Sequence, residues 1–333
     1  MNINEIAKLA QVSRATVSRY LNNGYVSQEK REAIRRVIEE TGYRPSSTAQ
    51  TLRTRKTRLV GVVLPKINSD SVSRMVAGIS QVLSEKGYQI VLANTANNLE
   101  EELKYLSFFR ERHVDGVILV ATMFTRRHKE LLKEYQVPLV ILGQQLSGYP
   151  CVYHDDYNAS RELTAILARQ GREFGYLGVT DRDVAAGLNR RRGFEAGLKE
   201  SHKRWDPACS REVTFSVEEG RQGMRELLEK NPQLDSVFCA TDNIAIGALI
   251  YLKEAGKRVP EDIQLVGTGD GLTGRVISPP ITTVHFYYKT SGIEAAQMLC
   301  EMLETEKPVR REIKMGYEIL VRDSVREKRV SQQ

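Results

Sequence analysis

Arg14 and Arg19 flank Ala15 and Ser18 within the stretch SRATVSRYLNN, residues 13–23. These types suit a nucleic-acid edge: an arginine bonds two acceptors on a guanine at once, an alanine meets a thymine methyl, and hydroxyls such as those of Ser13 and Thr16 hold phosphates. Reading bases requires that the side chains project from one side of a rigid element whose other side is anchored. A helix beginning at residue 14 meets that demand. Ser13 is of the capping type, and Val12 and Val17 occupy the two positions of a hydrophobic staple. Val17 and Leu21 then face inward, and Arg14, Ala15, Ser18 and Arg19 face outward. Ala15 donates no hydrogen bond, so discrimination at the base it meets must come from shape or a methyl contact.

That helix needs neighbours. Asn2 and Glu5 have the spacing of a capping box, and Ile6, Leu9 and Ala10 supply an apolar face, so a first helix spans about residues 3–10. Gln11 and Val12 connect it to the second. Ser27 caps a third helix, buried through Ala33, Ile34, Val37 and Ile38, which Gly42 ends. Three small helices with a tight first turn make a helix-turn-helix unit over residues 1–45. Charge agrees: residues 1–57 hold eleven Lys or Arg against five acids, +6 of the chain's +7, whereas the remaining 276 hold 38 against 37. Basic charge concentrated in this way is the footprint of a polyanionic partner. In SSTAQTLRTRKT (46–57), Ser46 starts a helix too short to be stable alone. There an exposed Leu52 is a wedge for a minor groove, with Arg53 along its floor.

From Arg58 onward, apolar runs of strand length alternate with helical stretches. LVGVVLP precedes a helix near 69–86, YQIVLANT one at 100–112, FGYLGV one at 184–201 and SVFCATD one at 242–255, with VDGVILV, PLVILGQ and QLVGTGD as further strands. Uninterrupted apolar strands between helices indicate parallel sheets covered on both faces, and there are enough for two. No G-x-S-x-G, H-E-x-x-H or phosphate loop is present, so catalysis has no visible carrier. GDGLTG (269–274) satisfies G-x-G-x-x-G, but Pro279 and Pro280 leave no room for the helix that a pyrophosphate needs. HDD (154–156) lacks a second cluster to complete a metal shell and reads as a helix start. Neither an enzymatic activity nor a cofactor or metal is expected. Cys151, Cys209, Cys239 and Cys300 lie too far apart for a zinc site and read as small buried hydrophobes in a reducing compartment. With 333 residues, 41% of them apolar, the chain fills two or three compact units. It has no run of about eighteen apolar residues and no leader pattern, which points to the cytoplasm and away from a membrane.

Residues 3–57 resemble the DNA-binding headpiece of the lactose and galactose repressor family of bacterial regulators, through IAKLAQVSRATVSRYLNN, VSQEKREAIRRVIEETGYRPS and TAQTL. The resemblance implies an N-terminal helix-turn-helix headpiece, a hinge helix (46–57) and a C-terminal α/β domain (58–333) with the two-lobed, periplasmic-binding-protein-like sugar-binding fold. Lobe one would span 58–157 and 288–318, lobe two 158–287 and 319–333. Carried over, Arg14, Ala15 and Arg19 are base readers, Ser13, Thr16 and Ser18 accompany them at the DNA, and Leu52 with Arg53 enters the minor groove. The implied function is transcription regulation: repression of a sugar-utilisation operon, relieved when a saccharide closes the cleft. Purine and catabolite-control relatives imply the opposite sign as an alternative, with a corepressor or a phosphocarrier protein strengthening DNA binding. A homodimer on a palindromic operator follows from two-fold symmetry, and the polar tail REKRVSQQ lacks the heptads of a tetramer.

The effector site is implied beyond the carboxyl ends of the strands, between the lobes. Arg190, Thr241 and Asp270 match family positions that hold sugar hydroxyls, and Phe215 or Tyr288 is placed to stack on a ring. Gly143 stands where many sugar binders carry a charged group, which passes contacts on that side to Gln144 and Gln145. YLGVTDRDVAAGLNRRRGF, VYHDD and CATDN resemble trehalose-operon regulators most, with sucrose or another glucoside, free or phosphorylated, also open. Lys66 would meet a phosphate on such a ligand.

Overall fold

Asn2 starts the first helix as its type requires: its side chain accepts from the backbone N–H of Asn4 at 2.9 Å and of Glu5 at 3.2 Å, while Glu5 Oε2 accepts from Asn2 N at 2.9 Å. In the computed structural model, which describes residues 1–22, 24–43, 56–305, 307 and 309–326, the chain divides into two units, Met1–Arg58 and Leu59–Gln333. The first contains helices α1 (Ile3–Leu9), α2 (Arg14–Leu21) and α3 (Gln28–Thr41). Gln11, in the left-handed region at φ 51°, makes the tight turn between α1 and α2. Ser13 Oγ caps α2 by accepting from Thr16 N at 3.1 Å. Gly42, at φ 64°, ends α3 as a left-handed cap. Ile6, Ala7, Ala10, Val17, Val26 and Ile34 form the core, with Val12, Leu21, Val37 and Ile38 packed around it.

Two details of the expected unit change. Leu9 is 55% exposed, because Ile6, Ala7 and Ala10 form the side of α1 that enters the core. Ser27 stands at the start of α3 without a side-chain capping bond.

Among its described residues, the second unit holds two six-stranded sheets. The first contains β1 (Leu59–Leu64), β2 (Gln89–Asn94), β3 (Gly116–Val120), β4 (Leu139–Leu142), β5 (Cys151–His154) and β11 (Glu312–Met315); the second contains β6 (Phe174–Gly178), β7 (Ser210–Glu212), β8 (Ser236–Cys239), β9 (Gln264–Thr268), β10 (Thr282–Phe286) and β12 (Tyr317–Leu320). Their orders are β11-β5-β4-β3-β1-β2 and β12-β10-β9-β8-β6-β7. Among the described residues every pairing is parallel except β10 with β12. The apolar runs announced β1 to β4, β6, β8 and β9, but β5, β7, β10 and β11 are too short or too polar to stand out. Strand β12 begins at Tyr317, so the chain passes to the second sheet at Gly316, two residues earlier than the expected lobe boundary. The four cysteines are buried and unpaired. Among the described residues no helix is long and apolar enough to cross a membrane.

The helices that follow these strands aim the polar residues at the strand ends. Helix α4 (Asp70–Glu85) crosses α12 (Tyr288–Thr305) at a pair of glycines. A Cβ on Gly78 would stand 2.1 Å from Lys289 O, and one on Gly292 would stand 2.1 Å from Met75 O. This close approach sets the Arg74 guanidinium 4.9 Å from the Tyr288 ring centroid. In the second sheet, a π-helical turn (Val184–Asn189) runs into α8 (Arg190–Glu200). Phe194, one turn past Arg190, is fully buried against Tyr176 at 5.1 Å and Phe238 at 5.4 Å, which fixes the direction of α8.

Candidate functional site

On the helical unit, Ser13, Arg14, Ala15 and Arg19 are exposed, Thr16 and Ser18 are half-buried, and Val17 is fully buried beneath them. Ser13, Arg14, Ala15 and Arg19 thus face solvent, whereas Thr16 and Ser18 are partly covered. Ser13 Oγ and Thr16 Oγ1 lie 2.9 Å apart and share a hydrogen bond. Leu52 and Arg53 lie outside the described residues. Tyr25, 90% exposed before α3, escaped the sequence reading because a lone aromatic in a loop follows no period.

In the second unit, one cavity of about 210 Å³ opens where the carboxyl ends of the two sheets face each other. Lys66, Gln144, Arg190, Phe215, Thr241 and Tyr288 all line it, as do Arg74, His154, Asp156, Asp183, Asp242 and Thr268. Strand ends supply most of these residues, because a parallel sheet delivers successive loops to the same edge.

Arg190 dominates the floor. Its Nε donates to Asp156 Oδ1 at 2.7 Å, its Nη1 to Ala240 O at 2.5 Å, and its guanidinium lies 5.6 Å from the Phe286 ring centroid. Burial opposes its charge, but Asp156, with smaller contributions from neighbouring groups, outweighs that cost and raises its pKa, so the guanidinium is permanently charged. Asp156 stands at the start of α7 (Asp156–Ala168), whose cap is Asp155; HDD is therefore the helix start it resembled. Asp183 caps the π-helical turn by accepting from Ala186 N at 3.0 Å, and its Oδ1 also accepts from Gln144 Nε2 at 2.7 Å. Burial raises the pKa of Asp183, and likewise that of Asp242. Tyr288, pushed up to about 12 by burial, stays protonated. Thr241 caps α10 (Asp242–Glu254) by accepting from Ile244 N at 3.3 Å.

Asp270 departs from the sequence expectation. Its side chain is buried outside the cavity lining, accepting from Arg275 Nε at 3.0 Å, Arg322 Nη2 at 2.5 Å and His285 Nδ1 at 2.8 Å. Burial alone would raise its pKa, but these three donors lower it. The cause is local: Asp270 sits at φ 53° directly after Gly269 at φ 137°, and this turn aims it into the scaffold. Asp242 occupies the lining instead, accepting from Thr283 Oγ1 at 2.6 Å and Gly271 N at 2.8 Å. Gln145 also turns away, donating to Glu312 Oε2 at 2.7 Å. A one-turn helix, α11 (Leu272–Val276), does form after GDG, contrary to the crowding expected from the prolines. Among the described residues, no group of three or more His, Cys, Asp or Glu is arranged to hold a metal.

Comparison with known proteins follows the division of the chain. Residues 2–46 match the model of bacterial regulatory proteins of the lacI family, and residues 164–325 match a periplasmic binding protein-like domain. The sucrose operon repressor of Staphylococcus xylosus is 34% identical over 304 residues, covering 91% of this chain and 94% of that protein. A solved transcriptional regulator CelR–cellobiose complex superposes with a TM-score of 0.75 at 29% identity, covering 97% and 99% of the two chains. The lac repressor dimer bound to operator and an anti-inducer shares the fold, with a TM-score of 0.88 at 22% identity over 97% of this chain and 98% of that one.

Proposed function

The chain belongs to the lacI family of bacterial regulatory proteins, and from that premise we propose that it represses a sugar-utilisation operon and releases its operator when a saccharide enters the cleft. One observation carries this reading: a single chain joins a basic three-helix unit, with Arg14, Ala15 and Arg19 outward, to a polar cleft at the facing ends of two parallel sheets. The first needs a polyanion and the second a small polyhydroxylated ligand.

In this reading Arg14, Ala15 and Arg19 meet bases and Ser13, Thr16 and Ser18 lie at the DNA surface. Two copies of the chain bind the two halves of a palindromic operator, since a two-fold protein matches a two-fold site. Segment 46–57 is the hinge, with Leu52 and Arg53 in the minor groove. Lys66, Gln144, Arg190, Phe215, Thr241 and Tyr288 face the effector. Effector binding changes the balance between open and closed lobes, and the operator-competent state loses population. The protein catalyses nothing, consistent with relatives that are transcriptional regulators, and acts in the cytoplasm, where the chromosome is. The sucrose operon repressor and the cellobiose complex support a glucoside as the effector.

The test is operator binding by fluorescence anisotropy, titrated with mono- and disaccharides and their phosphates. Release by a sugar supports the proposal. Uniformly tighter binding would reverse the sign to corepression, and the absence of any response would remove the sugar from the scheme.

A further inference from the structure

Three buried polar atoms along the cleft have no hydrogen-bond partner among the described residues: His154 Nε2, Thr268 Oγ1 and Arg74 Nε. All three residues line the cavity, and His154 and Thr268 are more than nine-tenths buried. Two of the three share one aromatic ring, that of Tyr288. The His154 ring packs edge-on against Tyr288 at 4.9 Å and tilts against Phe286 at 5.0 Å. Arg74 lies on the same Tyr288 ring and donates to Gly269 O, the residue after Thr268, at 2.6 Å. A buried polar group left without a partner is costly, so such a set in a cavity wall marks where a ligand supplies the missing hydrogen bonds.

Charge narrows the ligand further. The lining carries three cations, Lys66, Arg74 and Arg190, against four carboxylates, Asp70, Asp156, Asp183 and Asp242. Both guanidiniums are already matched: Arg190 to Asp156, and Arg74 to Asp70 Oδ2 at 2.7 Å. Of the remaining groups, Lys66 alone offers a positive charge, and the two further acids, Asp183 and Asp242, offer none. A phosphate dianion entering this lining would lose its hydration and gain one ammonium, a poor exchange at low dielectric. A hydroxyl, which both donates and accepts, suits an imidazole nitrogen and a threonine oxygen equally.

Resting on the reading of the cleft as the effector site, we propose that the effector is an uncharged saccharide and that His154, together with Thr268 in the same lining, is a specificity-determining contact to its hydroxyls. The sequence offered VYHDD only as a family likeness and a helix start. Burial among aromatic rings lowers the His154 pKa to about 4, so the ring presents a neutral nitrogen throughout the physiological range.

The experiment is calorimetric titration of the full chain with uncharged mono- and disaccharides and their 6-phosphates, on the wild type and on His154→Phe. Phenylalanine keeps the ring packing and removes both nitrogens. Expected are binding of an uncharged sugar, at least tenfold weaker binding of its phosphate, and at least tenfold weaker sugar binding by the variant with its circular dichroism retained. A phosphate ester that binds as tightly as its parent sugar overturns the charge assignment. Unchanged sugar affinity in His154→Phe overturns the contact. If that variant does not fold, Thr268→Val, of nearly the same shape, carries the same expectation for the loss of sugar affinity. Failure of every sugar and every phosphate to bind would instead overturn the reading of the cleft on which this rests.

Discussion

Gln144 Nε2 donates to Asp183 Oδ1 at 2.7 Å, joining the loop after β4 of one sheet to the loop after β6 of the other, 39 residues away in sequence. The same amide nitrogen donates to Thr122 O at 2.7 Å. The bond therefore ties the two lobes together across the cleft, and it is buried.

Gln144→Ala removes that tie and leaves the buried Asp183 carboxylate with one donor fewer. The expected cost is about 1–3 kcal/mol, the penalty of an incompletely satisfied buried polar group. Asp183→Ala costs more, because the cap on the π-helical turn is lost with it. Urea unfolding of the two single variants and the double variant measures the coupling; additive losses would show that the bond contributes nothing.

Asp156→Ala strands the Arg190 guanidinium, only 7% exposed, without its carboxylate. Breaking a buried pair from one side costs about 3–5 kcal/mol. The same denaturation experiment should show a loss of this size, and a change below about 1 kcal/mol would mean that water or a neighbour replaces Asp156.

Gly78→Ala forces a methyl group against Lys289 O at the crossing of α4 and α12. Overpacking of this kind costs about 1–3 kcal/mol. Because the crossing sets Arg74 against Tyr288, effector affinity should fall with stability, measured by calorimetry and thermal melting on the same sample.

Acid should expose the buried imidazole. The pKa of His154 falls from 6.5 to about 4 on folding, through burial first, with Asp156 in opposition and Arg190 adding a smaller push downward. As pH drops, the unfolded chain takes up this proton before the folded one. The contribution to stability is thus intact above about pH 6.5 and lost progressively down to about pH 4, on the order of 3 kcal/mol at ~1.4 kcal/mol per pKa unit. His154→Phe should flatten the stability profile over that interval, which unfolding measurements at a series of pH values will show.

On the operator, Arg14→Ala or Arg19→Ala should cost about 1–3 kcal/mol and relax preference at one base position, whereas Lys56→Ala should weaken all sequences evenly. Binding-site selection with each variant distinguishes these outcomes. An unchanged preferred site in Arg14→Ala would mean that α2 meets DNA with a different face.

The amino-acid sequence by itself determined the helical unit and its outward face. The capping box at Asn2 and Glu5, the cap at Ser13 and the burial of Val17 all act between residues three or four apart, and such interactions are written in the local spacing. It likewise determined β1, β3, β4, β6, β8 and β9, because a strand covered on both faces must be apolar throughout. Only the tertiary structure decided which polar residues meet in the cleft. Asp270 and Asp242 look alike as strand-end acids, yet one turn at φ 53° sends Asp270 to Arg275 and Arg322 while Asp242 stays in the lining. Arg74 has no strand-end signal and reaches the cleft through a glycine crossing made by residues over 200 positions apart. His154 is a neutral, unpartnered nitrogen only because Phe286 and Tyr288, far along the chain, bury it. Contacts of this kind depend on the direction in which packed elements aim their side chains, and that direction is set by the whole fold.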